Sequence, residues 1–340
     1  MSGNITFRHH DTTVLSISAV DAPVVMTSAE FDARIGDSYV RNGLRPGMLT
    51  KLAGIQERRW WPEGTSFVDG AIEAGAKAIA EAGVDPDRVG LLINTSVSRE
   101  NLEPSIAVRI HHELGMPSSC VNFDLTNACL GFVNGMQFAA TMIDAGQIDY
   151  ALVVDGEGSR EPQENTLARL ASPEATADDL LREFATLTLG SGAAAMVLGR
   201  ASEHPEGHRL IGGVSRAATE HHALCVGDFD KMSTDTTGLL TAGLQIAGEL
   251  WRDAAAEFDW TDMDRYVVHQ VSQVHTRSTA ESLGLPMDRI PLTFPTLGNV
   301  GPAAVAITLA KEVERLQSGD RVLMMGIGSG LNMSCLELLW

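Results

Sequence analysis

Four side chains in this 340-residue sequence have types and settings that can do chemistry: Cys129, His269, Asn299 and Glu103. Cys129 stands between an apolar, strand-like run (120–125) and a small-residue helical pattern (130–144). The free N–H groups and positive end of a helix favour a thiolate. A cysteine there is expected to have a lowered pKa and to suit covalent acyl transfer. The alternative is a buried structural thiol, which is what most free cysteines are. Cys120, Cys225 and Cys335 lie in strand-like or unplaced settings and read as core or incidental.

His269 closes the strand-like run that begins at Tyr266. Ligands collect at strand C-termini in α/β sheets, and a histidine there can donate to a developing oxyanion or move a proton. A satisfied core or surface histidine is the bland alternative. Asn299, in Leu297-Gly298-Asn299-Val300-Gly301, is equally a turn residue. Glu103 precedes Pro104 at a helix start, where the dipole alone favours an acid. Gly326, Gly328 and Gly330 follow a strand with no long helix after them, which suits close backbone approach to a substrate oxygen better than a phosphate loop.

The elements that must position these residues alternate. Strand-like runs at 89–95, 120–125, 150–154, 193–198, 266–269 and 322–325 are separated by Ala- and Gly-rich helical patterns at 68–81, 130–144, 244–256 and 302–316. That alternation predicts an α/β fold with buried sheets. The second half of the chain echoes the first. Asp85-Pro86-Asp87-Arg88 returns as Asp262-Met263-Asp264-Arg265, Leu114-Gly115-Met116-Pro117 as Leu283-Gly284-Leu285-Pro286, and Gly156-Glu157-Gly158-Ser159 as Gly326-Ile327-Gly328-Ser329. The offsets are 177, 169 and 170 residues (262 − 85, 283 − 114, 326 − 156). A period this long excludes a solenoid and predicts two similar halves, 1–205 and 206–340, about a pseudo-twofold axis. At the same offset, 299 − 129 = 170, Cys129 falls opposite Asn299, each before a helix.

Composition narrows the partners. With 25 basic against 44 acidic residues the net charge is −19, which disfavours nucleic acid. Hydrophobic residues at 44% and charged residues at 20% suffice for a large core. No apolar run has the length of a membrane span, and the N-terminus lacks a secretion pattern. The four cysteines form no CxxC pair, and the His9-His10, His111-His112 and His221-His222 pairs lack metal spacing. The expectation is an acidic cytoplasmic protein that binds neither metal nor nucleic acid and does not insert into a membrane.

The order Cys129, His269, Asn299 resembles the Cys–His–Asn set of the β-ketoacyl synthase III branch of the thiolase superfamily. The resemblance spans nearly the whole chain. It includes Gly54-Ile55-Gln56-Glu57-Arg58-Arg59, Asn127-Ala128-Cys129, Gly190-Ser191-Gly192-Ala193 and Gly326 to Gly330. His269-Gln270-Val271-Ser272, Ile93 to Arg99 and Leu102-Glu103-Pro104-Ser105 are similar to the members that join two fatty acyl-CoA molecules head to head in olefin biosynthesis.

The resemblance implies a five-layer αβαβα sandwich, a dimer, and acyl-CoA thioesters as substrates with no cofactor. It implies that Cys129 carries an acyl thioester, that the N–H groups of Cys129 and Gly330 form the oxyanion hole, and that His269 and Asn299 hydrogen-bond the enolising thioester. A non-decarboxylative Claisen reaction must also remove an α-proton, and Glu103 is the candidate base, reaching the neighbouring subunit's site. A synthase III using malonyl-carrier protein is the runner-up. The lack of an evident basic patch for an acidic carrier weighs against it. One subunit of a heterodimeric β-lactone-pathway enzyme is the other alternative. The resemblance assigns no CoA-binding residues. Arg58, Arg59 and Arg216 are candidates without a motif, and the role of 161–183, helical in pattern, is open.

Overall fold

The computed structural model describes residues 5–228 and 230–340. In chain order, five strands of the N-terminal half lie side by side in the large sheet: Thr12–Asp21, Val89–Asn94, Val121–Asp124, Tyr150–Glu157 and Gly192–Arg200. Across the sheet they lie first, fifth, fourth, second, third. The fifth is antiparallel to both its neighbours, whereas the fourth, second and third run parallel. The C-terminal half repeats this plan. His208–Ala217, Asn332–Leu339, Arg321–Gly328 and Arg265–Val268 lie side by side, with two antiparallel pairings and then a parallel one. The halves join where Thr13 and Val14 pair with Arg209 and His208. Residue 205 lies in the turn between Gly192–Arg200 and His208–Ala217.

Alternation along the strands sorts side chains into layers. Leu91 and Ile93, Ala151 and Val153, and Ala194 and Met196 face one way, together with Val267, Val322 and Met324 of the second half. They enclose two apolar helices, Gly131–Asp144 and Ala303–Glu312, which form the middle layer. The opposite face of the first sheet, with Leu92, Leu152 and Ala195, packs on the helix Phe67–Ala82. Tyr266, Val268 and Leu323 of the second sheet pack on Thr236–Ala254 and Gln273–Leu283. The order of layers is αβαβα, the thiolase fold. Small residues permit it: a Cβ at Gly213 would lie 1.9 Å from the carbonyl oxygen of Cys335 on the next strand. No helix among the described residues is long and apolar enough to cross a membrane.

Residues 161–183 form short helices, Arg160–Ala171 and Ala177–Arg182, followed by Phe184–Leu187. Leu167, Leu170, Leu180 and Leu187 join Phe31, Tyr39 and Trp60 in a satellite core beside the sandwich.

Candidate active site

The two middle-layer helices begin at one region of the molecule, and the expected site residues stand just before them. Cys129 lies two residues ahead of the helix Gly131–Asp144, and Asn299 four ahead of Ala303–Glu312. The turn is tight: Ala128, immediately before the cysteine, has φ 45°. Such a conformation in a non-glycine residue costs on the order of 1–3 kcal/mol and persists only where the surroundings hold it.

The surroundings here are glycines. On the strand Arg321–Gly328, Gly326 and Gly328 continue the inward-facing row of Val322 and Met324. A Cβ on Gly326 would sit 2.6 Å from Leu130 Cδ1, and one on Gly328 2.7 Å from the Asn127 carbonyl oxygen. The Asn332 amide donates to Asn127 Oδ1 at 3.2 Å, and Asn127 donates to Asn134 Oδ1 at 2.8 Å. The C-terminal glycine run thus cradles the turn that carries Cys129. No backbone carbonyl among the described residues takes up the N–H of Cys129 or of Gly330. Gly330 has φ 142°, which favours glycine, and its neighbour Leu331 is fixed to Ala218 by a reciprocal backbone pair at 2.8 and 3.1 Å.

His269 extends the inward row begun by Val267, and its own N–H donates to Met325 O at 2.7 Å. The imidazole is buried, with no partner at Nδ1 among the described residues. Burial, with His275 adding to it, pushes its pKa down to about 4, so the ring is neutral near pH 7. Gln270 ties this corner to the next: its Oε1 accepts from Thr293 N and Phe294 N, and its Nε2 donates to Pro291 O. Asn299 follows. Its backbone N–H donates to Thr188 O at 2.8 Å and its carbonyl accepts from Gly190 N at 2.9 Å. Its Oδ1 accepts from Gly301 N at 3.0 Å, which leaves the Nδ2 group as the donor. Asn299 follows the single helical turn Phe294–Leu297.

The expected lowering of the Cys129 pKa is corrected by its neighbours. The half-buried thiol is pushed up to about 12, chiefly by burial, then by Glu157, Cys225 and Asp155. Burial, reinforced by two buried carboxyls, outweighs a helix end that begins two residues later. Cys225 belongs to the hairpin of Cys225–Gly227 and Met232–Thr234, so it stands near the site rather than being incidental.

Asp155 and Glu157 are the side chains sequence reasoning missed. A signal was present: they continue the inward-facing row Ala151, Val153 on the fourth strand. Glu157 accepts from Val97 N at 2.6 Å, Ser98 N at 3.2 Å and Ser98 Oγ at 2.5 Å. Asp155 accepts from Thr95 Oγ1 at 2.5 Å, and its Oδ1 is buried without a partner. Burial raises both pKa values. The neighbouring Glu157 charge raises that of Asp155 further.

Glu103 is not brought to this cluster within one subunit. It lies on an exposed loop, with Asn101, Leu102 and Pro104 exposed beside it. The three arginines named from sequence are engaged elsewhere. Arg58 is fully buried, stacks 4.3 Å over the Phe31 ring and donates to Ser28 Oγ and Leu187 O, so it is part of the core. Arg59 pairs with Glu57, and Arg216 with Glu249 and Asp253. No group of three metal-ligating side chains is assembled among the described residues.

Five layers and a cysteine at the head of a central helix, beside a histidine and an asparagine from the other half, define a thiolase-fold condensing enzyme. Residues 123–217 match the family model of 3-oxoacyl-[acyl-carrier-protein] synthase III, and residues 254–340 match that of its C-terminal part. The acyl-CoA:acyl-CoA alkyltransferase of Xanthomonas campestris pv. campestris is 44% identical over 331 residues, 96% of this chain and 98% of that protein. The enzyme of the same name from Shewanella oneidensis is 35% identical over 94% of this chain and 96% of its own. A Xanthomonas campestris OleA variant crystallised with lauric acid and lauroyl-CoA matches with TM-score 0.95 at 42% identity, covering 97% of this chain and 99% of that one. The chain belongs to the acyl-CoA:acyl-CoA alkyltransferase (OleA) family, within the synthase III branch of the thiolase superfamily.

Proposed function

We propose that this protein joins two long-chain acyl-CoA molecules head to head by a non-decarboxylative Claisen condensation, working as a cytoplasmic dimer. What supports the reading is that Cys129 and Asn299 each precede a central helix, and that His269 is bonded to the strand whose glycines pack on the Cys129 turn, in a chain 44% identical to a named acyl-CoA:acyl-CoA alkyltransferase. Four free cysteines fit a reducing compartment.

In the first half-reaction the Cys129 sulfur attacks the acyl-CoA carbonyl. The C–S bond to CoA breaks, and CoA leaves with the proton that the thiol gives up. The N–H groups of Cys129 and Gly330, claimed by no backbone carbonyl among the described residues, suit the oxyanion of that step. A second acyl-CoA then binds with its thioester oxygen toward His269 and Asn299. A neutral imidazole and a free amide donate hydrogen bonds that strengthen as enolate charge builds. The α-proton passes to Glu103 of the neighbouring subunit. The carbanion attacks the acyl-enzyme, and collapse of the tetrahedral adduct frees Cys129. The product is a 2-alkyl-3-ketoacyl thioester, and its hydrolysis gives the β-keto acid.

Supplying two acyl-CoA molecules of different chain length tests the reading. Both self- and crossed 2-alkyl-3-keto products are expected by mass spectrometry without any carrier protein. Products that form only when malonyl-carrier protein is added contradict it.

A further inference from the structure

The loop that carries Glu103 has a rigid root and an exposed tip. At the root, Thr95 donates its backbone N–H to Val154 O at 2.9 Å and its hydroxyl to Asp155. Ser96 Oγ donates to Asn94 Oδ1 at 2.7 Å and accepts from Gly156 N at 3.1 Å. The next two residues place all three of their short donors on Glu157, and Ser98 Oγ accepts in turn from Gly158 N at 3.0 Å. Arg99 closes the root by donating to Ser96 O and Ser98 O and to the hydroxyl of Thr126, three residues before Cys129. Beyond it, residues 100–104 are all exposed, Leu102 at 85%. The contrast is between a root fixed by buried polar groups and a tip exposed to solvent.

Glu157 is the centre of that root. It is 7% exposed, and a Cβ on Gly301, beside Asn299, would lie 3.3 Å from its carboxyl carbon. A carboxylate offers acceptor sites on both oxygens, which Val97 N on one side and Ser98 on the other require. An amide in its place would turn an NH2 toward one of these donors.

We propose that the buried carboxylate of Glu157 is a positioning residue for condensation, fixing the root of the Glu103 loop so that its tip enters the partner subunit in a single conformation. This rests on the reading that Glu103 serves the neighbouring subunit. Glu157 then acts in trans on chemistry at a cysteine it does not share a chain with, although it stands near its own Cys129.

That geometry makes a test by mixed dimers decisive. Glu157→Gln homodimers are expected to acylate Cys129 no more slowly than wild type, because a charge that raises the thiol pKa is removed. Their condensation should fall on the order of 10²-fold, the cost of about 1 Å of misplacement. Ser98→Ala, which removes the 2.5 Å bond to Glu157 together with the hydroxyl that accepts from Gly158 N but leaves both backbone donors in place, should show the same split at smaller size. Co-expression of differently tagged chains pairs Glu157→Gln with Cys129→Ala. The single Cys129 in that dimer meets an intact loop from its partner, and condensation should return to about half of wild type per dimer. In parallel, Glu103→Gln is paired with Cys129→Ala. If the Glu103 mixture recovers and the Glu157 mixture does not, the role of Glu157 is overturned and that of Glu103 stands. If neither recovers, the Glu103 reading itself falls. Undiminished condensation in both the Glu157→Gln and Ser98→Ala homodimers also overturns the proposal.

Discussion

The backbone N–H of His269 donates to the carbonyl of Met325 across 2.7 Å. The bond continues the parallel pairing of Val268 with Met325 one residue past the strand end. It thereby fixes the imidazole to the strand whose Gly326 and Gly328 admit the nucleophile turn. His269→Ala or Asn299→Ala should each lower condensation on the order of 10²–10³-fold, as expected for loss of one oxyanion donor. Steady-state rates measured beside thermal unfolding check this. A lost rate that merely tracks lost folding would refute the catalytic role.

The position of Asn299 depends on a residue with no side chain. A Cβ on Gly190 would stand 1.8 Å from the Leu297 carbonyl oxygen, and Gly190 N donates to Asn299 O. Gly190→Ala must therefore separate two backbone segments. A loss of at least about 3 kcal/mol in denaturant unfolding is expected, in the range of severe overpacking. A wild-type midpoint would show that the segments do not meet as described.

Cys129 resists ionisation, its pKa raised to about 12 by burial and by Glu157, Cys225 and Asp155. For an acid whose pKa is raised, the thiolate is the minor form throughout the neutral range and grows with pH. Alkylation of Cys129 by a small uncharged reagent should then accelerate about tenfold per pH unit from 7 to 9. A plateau below pH 8 would restore the lowered pKa that a helix N-terminus alone suggests.

Much of this arrangement was legible in the sequence. The offset near 170 residues reports two halves because each lays its first and last strands side by side, antiparallel, and then runs back through earlier strands around its own central helix. That order also explains why Cys129 and Asn299 align. The strand Thr12–Asp21 went unread because its Thr and Ser residues break the apolar pattern, and His208–Ala217 because Gly212 and Gly213 interrupt it. The thiol pKa was misjudged for a different reason. Local sequence displays the helix that follows Cys129 but not the carboxyls of Asp155 and Glu157, about 30 residues away, which tertiary packing turns toward it. Their inward row, Ala151, Val153, Asp155, Glu157, was readable by alternation alone.

Glu103 separates two demands on the enzyme. As the base for the α-proton, its replacement in Glu103→Gln should leave acylation of Cys129 nearly intact and abolish condensation. As a capping charge it would be worth only about 0.3–1 kcal/mol, with both steps spared. Single-turnover acylation and β-keto acid yield, measured on one preparation, distinguish these outcomes. Retained β-keto acid formation removes the assignment.

The most direct test of acyl transfer through Cys129 is time-resolved intact-protein mass spectrometry with one long-chain acyl-CoA and nothing else. A mass increase of one acyl group should appear on Cys129, decay as the 2-alkyl-3-keto product accumulates, and be absent from Cys129→Ala. An adduct of equal size on Cys129→Ala, or product formed by wild type with no adduct at any time, would contradict it.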